Sequence, residues 1–245
     1  TSYRKHLCFQ TYEVTDYLKE GKNAAGAVLA AGWYKGKMGF EGLEKRRNHY
    51  GENTALLAQM VIRYEDGTEE LFVTDESWSG ADAPVVFAEI YDGEIYDGAK
   101  EIKGWSEAGC TAGQWKPVRK LDYDFSVLTG QGSGKVSLMD EVKPKEIFET
   151  PEGDLVIDFG QNMSALIQVN ATGKKGDLIR LDCFEVLDSK GNVYLDNLRG
   201  AKESLQYTLG EDGTITYRPS FTFMGFRYAK IVSFPGTPEP GNFIA

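Results

Sequence analysis

Residues 155–184 read LVIDFGQNMSALIQVNATGKKGDLIRLDCF. The apolar residues come in short runs, LVIDFG, ALIQVNAT and LIRLDCF, rich in the β-branched and aromatic types that suit a pleated surface. TGKKGD, between the last two runs, has turn chemistry. The signature continues downstream through LIRLDCFEVL, SLQYTLG, ITYRPSFTF and FRYAKIVSF, with DSKGN and EDGT as further turns. Strands at this spacing, with no helices alternating between them, predict a β-sandwich.

Upstream the same grammar holds. LCFQTYEV reads as a strand, and VTDYLKEGKN as one helical turn between a Thr15 cap and a Gly21 stop. AAGAVLAAGWYKG reads as a buried run ending in glycines. TALLAQMVIRY and ELFVTD flank Glu65-Asp66-Gly67-Thr68, which predicts a hairpin with buried strands. The pentapeptide EIYDG occurs twice in tandem, from Glu89 to Gly98. Between 120 and 145 the chain turns polar and Gly-rich (LTGQGSGK, then Pro144), which marks a junction. The expected fold is all-β, with two β-sandwich domains in tandem: residues 1–122, a linker and entry strand at 123–145, and residues 146–245.

The totals exclude several function classes. Of 245 residues, 41 % are hydrophobic and the formal net charge is −10. An acidic surface repels phosphate backbones, so no nucleic-acid partner is expected. No run approaches the roughly 20 apolar residues of a membrane helix, so no membrane partner is expected either. Three cysteines, far apart and without a CxxC, argue against a zinc site or a disulfide framework. With no signal peptide in this stretch, the expected compartment is reducing and cytoplasmic. The opening TSYRKHLCFQ lacks a Met and the tail FPGTPEPGNFIA has no closing element, so the sequence reads as a piece of a longer protein.

Four local patterns invite a chemical reading. GQGSGK fails as a phosphate loop, because Thr129 and Val136 stand where Gly and Ser or Thr are needed. Asp158-Phe159-Gly160 spells a kinase triplet without the other kinase motifs and reads as a turn, with Gln161 and Asn162 as bridging amides. Asp92, Glu94 and Asp97 form the densest acidic cluster near aromatics. Placed on a strand, Asp92 and Glu94 share a face and Asp97 takes the other. A glycosidase needs two carboxylates about 5–10 Å apart, but catalytic pairs usually come from different elements. Hydrogen bonding within the fold, or docking, is therefore the favoured reading. Finally, KRRNHYGEN at 45–53 enters an apolar run. Glu52 and Asn53 offer oxygens for a sugar or calcium ion. The plainer reading is a polar loop in which Arg46 and Arg47 pair with Glu52.

Taken together the motifs resemble one family. FQTYEVTDYL, GWYKGKMGFEG, NHYGENTALLAQMVIRYEDGTEE, TDESWSG and IYDGEIYDG follow in the order seen in the N-terminal region of bacterial α-L-rhamnosidases. VIDFGQNMS, FEVLDSKGNVYLDNLR and RPSFTFMGFRY resemble the β-sandwich domain that follows it there. The resemblance spans about residues 3 to 236. It implies a jelly-roll, lectin-like domain and then a concanavalin-like sandwich. It also implies a parent enzyme that hydrolyses terminal L-rhamnose with inversion, using acidic residues in a downstream α-helical toroid. No catalytic residue is carried over, and this stretch alone is expected to be inactive.

The first domain resembles rhamnose-binding modules in which an Asp-Asn pair helps hold calcium and the sugar hydroxyls. Here the matching pair is Glu52 and Asn53, with Trp78 as a stacking face. The longer Glu side chain moves the carboxylate outward by about one bond length, which matters at calcium–oxygen distances of about 2.3–2.6 Å. Three functions follow as expectations. The first is support of the catalytic domain, with Asp92, Glu94, Asp97, Asp158, Gln161 and Asn162 as structural or docking residues and no cofactor required. The second is a carbohydrate-binding, lectin-like module for L-rhamnose, assisted by calcium. The third and least favoured is a hydrolase built on Asp92, Glu94 or Asp97.

Overall fold

A computed structural model describes residues 2–38, 47–132, 134 and 136–245. Lys45 and Arg46 of KRRNHYGEN, and Ser133 and Lys135 of GQGSGK, lie outside the described residues.

The strands run in chain order from β1 (Leu7–Phe9), β2 (Gln59–Arg63), β3 (Glu69–Val73) and β4 (Ser79–Gly80) to the hairpin β5 (Val85–Glu89) and β6 (Gly93–Asp97). β7 (Lys116–Pro117) and β8 (Leu128–Gly130) follow, then β9 (Glu146–Glu149), β10 (Leu155–Ala165), β11 (Gln168–Gly173) and β12 (Leu178–Phe184). β13 (Val186–Leu187), β14 (Val193–Tyr194), β15 (Ser204–Thr208), β16 (Gly213–Tyr217), β17 (Met224–Ser233) and β18 (Phe243–Ile244) complete the series. Among the described residues helix is confined to α1 (Gly32–Lys35) and short 3₁₀ turns, one of them at Thr15–Tyr17 where a helical turn is expected. The chain is all-β, as its sequence predicts.

Two compact units divide the chain: 1–29, 52–83 and 102–134 form one, and 30–51, 84–101 and 135–245 form the other. This division departs from the sequence boundaries at 1–122 and 146–245, because β6 pairs with β15 and Lys37 and Arg47 are held to the β5–β6 hairpin.

In the first unit, β2 and β3 pair antiparallel across the predicted turn. Gly67 takes φ +86°, and Asp66 Oδ1 accepts from Thr68 N at 2.9 Å and from Thr68 Oγ1 at 2.7 Å. β1 pairs parallel with β8, and β4 antiparallel with β7. The expected deep burial of TALLAQMVIRY and AAGAVLAAGWYKG is not found. Gln59–Arg63 alternates exposed and half-buried, β3 is exposed throughout, and residues 24–31 are exposed or half-buried. The physical reason is that β2 and β3 form a sheet of only two strands, which leaves most of each strand open to solvent.

The second unit is a sandwich. One sheet has seven strands in the order β5-β6-β15-β12-β17-β10-β9, and the other three in the order β16-β11-β18. Ile157, Leu181, Leu205 and Phe226 from the large sheet meet Val169, Tyr217 and Phe243 from the small one in a single core. Val156, Phe184 and Tyr228 form a second cluster with Phe148, Leu187 and Val193. The successive residues Val156 and Ile157 are therefore buried in different clusters, which is why that run lacks polar alternation.

The hairpin β5–β6 joins the large sheet through β6, which pairs parallel with β15 from Gly93↔Ser204 to Asp97↔Thr208. Gly93 takes φ +96°, and a Cβ there would lie 1.9 Å from Ser204 O. Only glycine lets the backbone come this close. The tandem EIYDG repeat thus spells a strand end, a turn and a second strand, rather than one strand.

Candidate functional site

Because Asp92 sits in the turn and Glu94 in the strand after it, they do not share a strand face. Each enters its own set of partners.

Asp92 is buried and meets Lys37 Nζ, with its Oδ1 at 3.0 Å and Oδ2 at 3.1 Å. Lys37 is itself only 3 % exposed and also donates to Gly200 O at 3.3 Å. Arg47 reaches Asp92 Oδ2 at 3.5 Å and forms an ion pair with buried Glu89, whose Oε2 accepts from Lys37 N at 3.4 Å. Two carboxylates and two cations thus pin the chain on both sides of residues 38–46 to the β5–β6 hairpin. Arg47, expected to pair with Glu52, pairs instead with Glu89 and Asp92.

Glu94 is 1 % exposed. Its Oε1 accepts from Tyr217 Oη at 2.9 Å, and its Oε2 from Ser220 N at 3.0 Å and Phe221 N at 2.9 Å. Burial and the Glu94 charge push the Tyr217 phenol far above its ordinary range. Asp97 caps the 3₁₀ turn Gly98–Lys100 by accepting from Ala99 N at 3.1 Å.

DFGQN forms a bulge in β10, where the register against β17 shifts between Asp158 and Met163. Buried Asp158 accepts two hydrogen bonds from Arg227, at 2.9 and 2.8 Å, and one from Gly160 N at 2.6 Å. The Arg227 hydrogen bonds hold its carboxyl below the usual range. Gln161 is exposed. Asn162 Nδ2 donates to Glu185 Oε1 at 3.1 Å, and Asn197 Nδ2 donates to Glu185 Oε2 at 2.8 Å.

In the first unit, Glu52 and Asn53 stand exposed on a bend. Trp78 is half-buried, and its indole N–H donates to Val73 O at 3.1 Å. Glu52 and Asn53 are hard oxygen donors, right in kind for calcium, but calcium takes six to eight oxygens. Among the described residues no group of three or more His, Cys, Asp or Glu is gathered for a metal.

The sequence reading missed Lys37, Arg47, Glu89, Tyr217, Glu185, Asn197 and Arg227 as partners. Their one visible signal is a lysine within the apolar run GWYKGKMG and an arginine within the strand FRYAKIV. A cation inside a strand or buried run needs a carboxylate.

The fold class is that of tandem all-β units whose acidic hairpin is tied into a sandwich, and sequence comparison supplies the family. Residues 1–140 match the family described as "Alpha-L-rhamnosidase N-terminal domain", and residues 148–245 match the "Bacterial alpha-L-rhamnosidase concanavalin-like domain". The chain belongs to the α-L-rhamnosidase family. It is 40 % identical over 240 residues to an α-L-rhamnosidase of Streptomyces avermitilis, covering 98 % of this chain and 23 % of that protein. It is 32 % identical over 242 residues to one from an Alteromonas species, covering 98 % and 26 %. A crystal structure of native α-L-rhamnosidase from Aspergillus terreus superposes with TM-score 0.89 at 33 % identity, covering 99 % of this chain and 28 % of that one. The Streptomyces avermitilis enzyme complexed with L-rhamnose gives TM-score 0.89 at 36 % identity, covering 99 % and 23 %. The chain therefore spans about a quarter of the length of these relatives.

Proposed function

We propose that this chain is a non-catalytic part of an α-L-rhamnosidase that supports the catalytic domain and binds L-rhamnose weakly through its first unit. The observation that carries the non-catalytic reading is the saturation of the acidic hairpin. Glu94 has three donors, Asp92 a lysine and an arginine, and Asp97 a backbone cap. A general acid or nucleophile must face its substrate with a free oxygen, and both oxygens of Asp92 and of Glu94 are spent on the fold, while Asp97 caps a turn through Oδ1. The match of residues 1–140 to the rhamnosidase N-terminal domain supports the sugar reading, and a similar structure was solved with L-rhamnose.

In this reading Glu52 and Asn53 hold the sugar hydroxyls together with calcium, and Trp78 supplies a stacking surface. A single monosaccharide at an open bend makes few contacts, so the dissociation constant falls at about millimolar to tens of micromolar, or about −4 to −6 kcal/mol. Titration calorimetry of L-rhamnose, with calcium and then with a chelator, tests it. Heat that depends on calcium, and is lost in Glu52→Ala and Asn53→Ala, is expected. Binding that survives both substitutions puts the sugar elsewhere. Release of p-nitrophenol from its rhamnoside by the purified chain would overturn the non-catalytic reading.

A further inference from the structure

Glu203 stands apart from the satisfied carboxylates. Its Oε2 is buried and has no hydrogen-bond partner, alone in this among the side-chain atoms of the described residues. Its backbone adopts φ +45°, and Arg199 earlier in the same segment adopts φ +58°. Side chains other than glycine rarely take this region unless the surroundings hold them there.

The surroundings are specific. Lys202 N and Glu203 N both donate to Tyr91 O at 3.1 Å, and Ser204 N donates to Asp92 O at 3.2 Å. Glu203 O accepts from Cys183 N at 2.9 Å, and Gly200 O accepts from Lys37 Nζ. Glu185, whose charge acts on Glu203, is tied by Asn162 to the β10 bulge and by Asn197 to the segment's own start. The segment is therefore held to the β5–β6 turn, to β12 and to the bulge, with an unpartnered carboxyl oxygen buried among them.

We infer that Glu203 is a proton-operated catch for residues 196–203. Protonated, its carboxyl stays beside Glu185 and the segment remains fastened to the Tyr91–Asp92 turn. Ionised, with its proton lost to solvent, it weakens those fastenings and the segment opens.

The charges around it favour this. Burial, and then the facing Glu185, push the Glu203 carboxyl up to about 7. The neighbouring Cys183 thiol is pushed well above its ordinary range by burial, so it stays neutral. Asp182 is engaged by Arg180 and by Ser204 Oγ, and Lys37 by Asp92. A carboxyl raised above its unfolded value contributes stability that is complete below that unfolded value. The contribution is lost as pH rises through about 7.

Amide hydrogen exchange of the 245-residue chain tests the catch, corrected for intrinsic rates and read at Lys202, Glu203 and Ser204. Protection should fall roughly tenfold or more between about pH 5 and pH 9. Glu203→Gln should hold its protection across that range. Glu185→Gln, which leaves Glu203 in place, should keep the transition but move it to lower pH. Constant protection in the wild type, an equal fall in Glu203→Gln, or an unmoved transition in Glu185→Gln would each overturn the inference.

Discussion

Tyr217 donates its hydroxyl to Glu94 Oε1 at 2.9 Å across 123 residues of sequence, joining β16 of the small sheet to β6 of the large one. One of the three acids weighed for a catalytic role is thereby a tie within a sandwich. Glu94→Ala leaves the Tyr217 hydroxyl and two backbone N–H groups without their acceptor. A loss of about 3 kcal/mol is expected in urea unfolding. Tyr217→Phe removes one donor and should lose about 1 kcal/mol. L-rhamnose binding should be unchanged in both.

Lys37→Met leaves Asp92 buried with only the longer Arg47 contact. A destabilisation of about 3–5 kcal/mol is expected, because an unpaired buried charge is far worse than a pair. The double variant Lys37→Met with Asp92→Leu should recover most of it. A double variant as unstable as the sum of the single changes would contradict the pairing.

Asp158 gives a pH dependence of opposite sign to Glu203. Its carboxyl is held low by Arg227, so its contribution is present above the ordinary Asp value of about 4 and is lost as pH falls through the lowered one. Arg227→Ala should destabilise the chain at neutral pH, because it leaves buried Asp158 without its guanidinium partner. It should also flatten the acid limb of the stability curve, measured by urea unfolding from about pH 3 to pH 7.

Residues 148–245, expressed alone, lack the β5–β6 hairpin and uncover the edge of β15. They should unfold at a lower urea midpoint than the full chain and tend to associate, which gel filtration reads. An unchanged midpoint and a monomeric fragment would show that the hairpin is an accessory to the sheet.

The all-β class was legible from alternation and turn chemistry, because both act over a few residues. Asp66-Gly67 makes its turn with the Asp66 side chain and a positive φ, and the hairpin follows wherever those residues stand. The acidic repeat was legible as a feature but not as a role. EIYDG reads as a continuous strand until Gly93, backed against Ser204, breaks it and sends Asp92 and Glu94 to different partners.

Sequence by itself determined the strands, the turns and the family, since these rest on local pattern and ordered motifs. Tertiary structure alone decided that the β5–β6 hairpin joins the later strands, that Lys37 neutralises Asp92, and that Glu203 keeps an unpartnered oxygen. Lys37 and Asp92 lie 55 positions apart, and Gly93 and Ser204 pair across the β6–β15 ladder. A buried charge or close-packed backbone finds its partner by position in space, and no period along the chain encodes that position.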